Sequence, residues 1–195
     1  MNADGSDQRF LLRPGDGAWL IVDWSPDGRR LAFEARSDDI VQVWTADADG
    51  RNLTRLTGGD SAGEAPRWSP DGRRIAFVRD GDIWTIQANG SDLRNLTDTP
   101  DAFEGSPAWS PNGKRVLFEV TDSDLRCQGL ATVPANGGTA KAVPTTAGTC
   151  LWAPDWQAKP KKGKGKARPA AVQPDRAAKP AGHRAKPSGH RRAAR

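Results

Sequence analysis

One seven-residue string recurs along this chain and narrows the architectures open to it. W-S-P-D-G-R-R starts at Trp24 and again at Trp68, W-S-P-N-G-K-R starts at Trp109, and P-D-W-Q at 154–157 places Trp156 in the same register. The tryptophans stand 44, 41 and 47 residues apart. A second landmark keeps the same rhythm: Ala-Asp-Gly at 48–50, then Ala-Asn-Gly at 88–90 and 135–137. Periods of this size mark arrays in which one small unit stacks on the next.

Each unit reads as four short strands. In the middle unit they are predicted at 65–69, 73–79, 82–87 and 93–97. Proline, aspartate and glycine at 70–72 supply a tight turn, because proline pre-sets φ and glycine accepts positive φ. Leu31/Phe33, Ile75/Phe77 and Val116/Phe118 alternate with smaller residues, which puts large apolar groups on one face of each second strand. Turn residues about every ten positions leave no room for long helices. Four strands per unit of this length is a propeller blade. The expectation is an all-β partial β-propeller with three full four-stranded blades at approximately 18–57, 65–97 and 106–145. Incomplete blades flank them: 1–5 aligns with 46–50, residues 8–12 match a fourth strand, and 152–157 supply only a first strand. A ring closed by this chain alone is not expected. The sequence reads as the C-terminal part of a longer propeller, or as one completed by another copy or chain through its exposed blade edges.

Charge divides the chain near residue 157. Beyond it stand 13 Lys and Arg against one acid, Asp175, a net +12; residues 1–157 carry 16 bases and 23 acids, a net −7. Residues 158–195, rich in Lys, Arg, Pro, Ala and Gly, cannot bury enough apolar surface to offset the entropy of ordering and are expected to be a disordered basic tail. No apolar run approaches the ~20 residues of a membrane-spanning helix. The first residues, M-N-A-D-G-S-D-Q, lack the basic and apolar regions of a secretory signal.

The pattern W-S-P-D-G-[RK]-[RK]-[IVL]-[AL]-F followed by A-[DN]-G resembles the TolB-like family of WD-like propeller repeats, over residues 1–157. That resemblance implies a propeller, a protein-binding scaffold, and a periplasmic, exported or cell-surface location. It brings no fixed catalytic residues. The same repeats also form gating propellers in prolyl-oligopeptidase-type peptidases, so the remnant of such an enzyme is an alternative reading.

The residues themselves point away from catalysis and from cofactors. A Ser-His-Asp triad needs a positioned histidine, and both histidines, His183 and His190, lie in the tail. There is no G-x-S-x-G elbow and no dinucleotide or P-loop glycine pattern. Asp47-Ala-Asp49-Gly50 departs from a calcium loop, because Thr45 and Leu56 stand where acids are needed. Two cysteines are too few for a structural zinc site. Cys127 and Cys150 fall in loops on the same side of the blades and are either a disulfide, worth ~3 kcal/mol, or two thiols. Trp24, Trp68 and Trp109, with the Trp44/Trp84 pair, are expected to pack between blades.

Antiparallel strands send the second-to-third loops and the blade-to-blade loops to one side. There stand Asp38, Asp39, Asp60, Glu64, Asp80, Asp82, Asp98, Asp101, Glu104, Asp122 and Asp124, offset by Arg36, Arg79 and Arg126. This acidic loop face is the candidate contact surface for a protein partner, since a field of one sign steers oppositely charged partners. The basic tail, with Lys159, Lys161, Lys162, Lys164, Lys166 and Arg168, is a candidate for polyanions such as nucleic acid or cell-wall polymer, or for the acidic face itself.

Overall fold

The computed structural model describes residues 21–37, 39–100, 102–122, 127–144 and 154–156. These form twelve strands: β1 (Val22–Trp24), β2 (Arg30–Ser37), β3 (Ile40–Asp47), β4 (Thr54–Arg55), β5 (Glu64–Trp68), β6 (Arg74–Arg79), β7 (Asp82–Gln87), β8 (Arg94–Asn95), β9 (Ala102–Trp109), β10 (Arg115–Asp122), β11 (Cys127–Pro134) and β12 (Lys141–Val143). They pair in chain order into three four-stranded antiparallel sheets, the blades of a partial propeller. The first strands of neighbouring blades, β1, β5 and β9, lie side by side and form the inner wall.

The recurring string builds one turn three times. Ser25 Oγ donates to Asp27 Oδ1 (2.7 Å) and accepts from the Arg30 N–H (2.8 Å), while Asp27 Oδ1 also accepts from the Arg29 N–H (3.1 Å). The Gly28 N–H closes the turn onto the Ser25 carbonyl (2.8 Å) at φ +68°, a conformation that favours glycine. Ser69, Asp71 and Gly72 repeat the arrangement, as do Ser110, Asn112 and Gly113. The Ala-[Asp/Asn]-Gly landmark is the turn between third and fourth strands. Its alanine N–H donates to the carbonyl of Arg29, Arg73 or Lys114, which ties the two turns of each blade together.

The core lies between blades. Ala32 and Val43 of the first blade pack on Trp68, Ile75, Phe77 and Ile86 of the second. Ala76, Ile83 and Leu96 then pack on Trp109, Val116, Phe118, Ala131 and Val133 of the third. The large residues of the second strands thus face the preceding blade, and Ala32 and Ala76 face the next. Burying a side chain such as Phe77 stabilises the pair of blades by ~2–3 kcal/mol. Pro66 and Pro107 are fully buried on the inner strands. The residue before each, Ala65 (φ +50°) or Ser106 (φ +49°), takes a left-handed conformation where the strand register shifts.

One packing expectation is corrected. Trp68 and Trp109 are buried at 6% and 9% exposure, but Trp24 is 52% exposed. A tryptophan at this repeat position is covered by the blade before it, and no strand pairs with or packs over Trp24 from that side among the described residues. Trp19 and Trp152 lie outside the described residues.

Candidate functional site

The loop side of the blades begins with backbone geometry. Asp39 (φ +68°), Asp80 (φ +53°) and Asp98 (φ +54°) all sit in left-handed conformations at turns, which aspartate tolerates better than most residues. Their side chains project outward. Asp39 and Asp80 are 99% and 57% exposed at the side chain, and Asp60, Glu64 and Asp98 are exposed as well. These five carboxylates occupy one end of the three blades, because β-strand alternation sends both classes of loop there.

Arg36 and Arg79 stand among them on this side. Arg36 stands 3.8 Å from Asp39 at the surface. Arg79 turns inward: it donates to the Gly58 carbonyl (3.2 Å), lies over the Trp84 ring (5.7 Å) and reaches Asp80 at 3.7 Å. Its side chain is 15% exposed. Asp60, Glu64 and Asp98 pair with no cation among the described residues.

Half-buried Asp82 and buried Glu104 fasten loops instead. Asp82 accepts from Asn95 Nδ2 (2.7 Å) and the Thr99 N–H (3.0 Å), which holds the loop between the second and third blades. Glu104 is 5% exposed and accepts from the Ile83 N–H (3.1 Å) and Thr99 Oγ1 (2.9 Å). Burial raises its carboxyl above the ordinary 4.5 despite those hydrogen bonds. Glu34, which the sequence did not single out, behaves alike: it is buried, accepts from the Ala65 N–H (2.9 Å), and burial raises it too. The structure therefore separates surface carboxylates from fastening ones within a set that reads uniformly in sequence. Asp122 is half-buried at the end of β10. Asp38, Asp101, Asp124, Arg126, Cys150 and the tail residues Lys159, Lys161, Lys162, Lys164, Lys166 and Arg168 lie outside the described residues, and Cys127 is described only as the first residue of β11.

The opposite end carries both signs at its surface, with Asp27, Asp49 and Asp71 exposed there. Arg29, Arg73 and Lys114 are exposed at the turns, whereas their neighbours are engaged. Arg30 lies 4.7 Å over the Trp68 ring, Arg74 is 2.7 Å from Asp92, and Arg115 bonds Thr132.

A cavity of about 390 Å³ opens along the inner wall between Asp23, Arg67, Trp68, Pro107, Trp109 and Asp155. Asp23 Oδ2 accepts from the Trp68 N–H (2.7 Å), and Arg67 donates to the Pro66 carbonyl (3.0 Å). Each charged residue here directly precedes a repeat tryptophan, and that spacing was the available sequence signal. No group of three His, Cys, Asp or Glu that could hold a metal occurs among the described residues, and no described helix is long and apolar enough to cross a membrane.

Comparison with known proteins places this geometry in context. The model of the TolB beta propeller domain matches residues 21–159. A putative TolB from Agrobacterium tumefaciens is similar at 27% identity and TM-score 0.59, over 65% of this chain and 50% of that one. TolB from Acinetobacter baumannii aligns at 23% identity and TM-score 0.51, over 62% of this chain and 31% of its own. An oligogalacturonate lyase from Vibrio parahaemolyticus shares the fold at 13% identity and TM-score 0.54, over 67% and 41%. The chain spans half or less of the length of each. No curated protein sequence matches it.

Proposed function

We propose that this chain, which belongs to the TolB beta propeller family, is a non-catalytic protein-interaction scaffold that receives a basic partner on its loop face. One observation carries this reading. Among the described residues, five outward carboxylates, Asp39, Asp60, Glu64, Asp80 and Asp98, share one end of the blades, and Arg79 beside them is turned into the structure. A one-signed field of this kind accelerates encounter with oppositely charged partners and fades with salt. The family and the TolB structures supply the scaffold role as a coarse expectation. An exported or envelope setting belongs to the same reading.

A titration of the full chain with a lysine-rich peptide tests it, alongside a variant carrying Asp39→Asn, Asp60→Asn, Glu64→Gln, Asp80→Asn and Asp98→Asn. Asparagine accepts the left-handed backbone at 39, 80 and 98, so the fold is retained. The expected result is salt-sensitive binding that weakens by roughly tenfold or more in the variant. Equal affinity for both proteins would overturn the assignment. Binding of polyphosphate that ignores these substitutions would favour the basic tail as the functional element instead.

A further inference from the structure

The turn end of the blades repeats one arginine with two different fates. Arg30, Arg74 and Arg115 hold the same place in the recurring string, six residues after Trp24, Trp68 and Trp109. Arg74 turns back onto its own blade, 2.7 Å from the Asp92 carboxylate and 3.2 Å from Thr85 Oγ1. Arg115 also turns back and donates to the Thr132 carbonyl (2.9 Å). Arg30 crosses to the next blade instead, where its guanidinium lies 4.7 Å over the Trp68 ring and donates to the Ala88 carbonyl (3.4 Å). The first blade has no counterpart of Asp92, because Asn52 stands in its place. Asn52 takes the same left-handed conformation (φ +52° against +55°) but is uncharged and donates to Asp47 Oδ2 (2.6 Å).

Arg30 therefore forms no ion pair among the described residues, and neither does the exposed Arg73. The two line one groove of about 580 Å³ between the first and second blades, together with Asp71, Arg74, Gln87 and Asn89. The groove at the next joint is built from the same repeat positions, with Arg74, Lys114, Ala135 and Asn136, and adds Arg94. Both of its arginines are bound to Asp92, at 2.7 Å and 2.6 Å. One joint thus carries its own carboxylate and the other lacks it.

We propose that the Arg30–Arg73 groove binds a peptide carboxylate, supplied from outside as Asp92 supplies one to Arg74. Guanidinium forks match the two oxygens of a carboxylate, and the indole beneath Arg30 holds one fork in position. Asp71 stands in the same groove with Oδ1 held by Ser69 and the Arg73 N–H. It repels a dianion about twice as strongly as a monoanion, which favours a carboxylate over a phosphate monoester. Gln87 Oε1 and Asn89 Nδ2 are not engaged among the described residues, and they supply an acceptor and a donor for a peptide main chain. The groove lies at the opposite end from the acidic loop face and does not rest on that reading.

An NMR titration of the full chain that follows the arginine Nε–Hε signals provides the test. The probes are a short N-acetylated glutamate peptide with an amidated C-terminus, a neutral peptide with a free C-terminus, and inorganic phosphate. Saturable shifts at Arg30 and Arg73, with Arg115 unmoved, are expected from a carboxylate-bearing peptide, and which peptide responds tells a side chain from a C-terminus. Arg30→Gln and Arg73→Gln should each weaken binding at least about tenfold, while the basic tail contributes equally in every variant. Asp47→Gln with Asn52→Asp reproduces the Gln87 and Asp92 of the second blade and keeps both arginines. It should weaken binding to a similar degree, with a cooperative melt retained. Affinity that survives these substitutions, shifts that never saturate, or tighter binding of phosphate than of either peptide would overturn the proposal. The loop-face variant should show the same arginine shifts as the parent, so failure of either reading is seen separately.

Discussion

Three carboxylates show how position decides what a charge contributes. Arg74 and Arg94 flank Asp92 and hold its carboxyl down to about 2, so its contribution is complete above the ordinary 3.8 and disappears as pH falls through the lowered value. Glu34 and Glu104 run the other way. Burial raises both above 4.5, so the folded protein holds their protons longer than the unfolded chain does. Their contribution is complete below 4.5 and is lost as pH rises through the raised values. The melting temperature is therefore expected to be highest near the ordinary carboxyl range and to fall on both sides. Glu104→Gln should flatten the decline toward neutral pH and leave the acid limb unchanged, as read from thermal melts across that range. Equal slopes for the variant and the parent would show that Glu104 is charged at no cost. None of this division was legible beforehand. Asp80 and Glu104 look alike in sequence, and only the meeting of Ile83, Thr99 and the third blade's first strand puts one of them under the surface.

At the scale of the element, the blade was legible because its signals are local. The Ser-Pro-Asp-Gly turn satisfies its own donors and acceptors within six residues, and the strand alternation needs no distant partner to be read. The joint between blades is different, since it depends on which neighbour arrives. Identical motifs at Trp24 and Trp68 give an exposed ring in one case and a buried ring under Arg30 in the other. Trp109 fastens its blade through apolar packing and one hydrogen bond to the Arg67 carbonyl. Trp109→Phe keeps most of the ring and removes the donor. It should lower unfolding stability in urea by about 1–2 kcal/mol, with an unchanged dependence on denaturant.

Across the molecule, cohesion runs from each blade to the next, with little contact between blades that are not neighbours. Arrays of this kind approximate a sum of unit stabilities and nearest-neighbour terms. The first blade has a described neighbour on one side only, and its inner strand is three residues long. Amide exchange at Val22–Trp24 is therefore expected to outpace exchange at Glu64–Trp68 in dilute protein, read by hydrogen–deuterium mass spectrometry. Comparable protection at both strands would mean that the edge blade is held as firmly as the central one. Which end of the blades each loop charge belongs to was legible, because antiparallel topology sorts loops by parity. How many of those charges remain free was not, because that depends on side-chain partners such as Gly58 and Trp84 for Arg79.

The joint between blades also bears on how such a protein can change over generations. Trp109 and Trp156 grip main-chain carbonyls, and every amino acid offers one. The residue supplying that carbonyl is consequently released from the duty of holding the ring together. In this chain the position reads Asp23, Arg67, Ala108 and Asp155 in turn, three kinds of side chain on one scaffold. Substitutions at Arg67 and Ala108 can accumulate without loosening the blades, so that stretch of the lining can drift toward new chemistry while the tryptophans beside it stay fixed; Asp23, whose carboxylate holds the Trp68 N–H, is not released in this way.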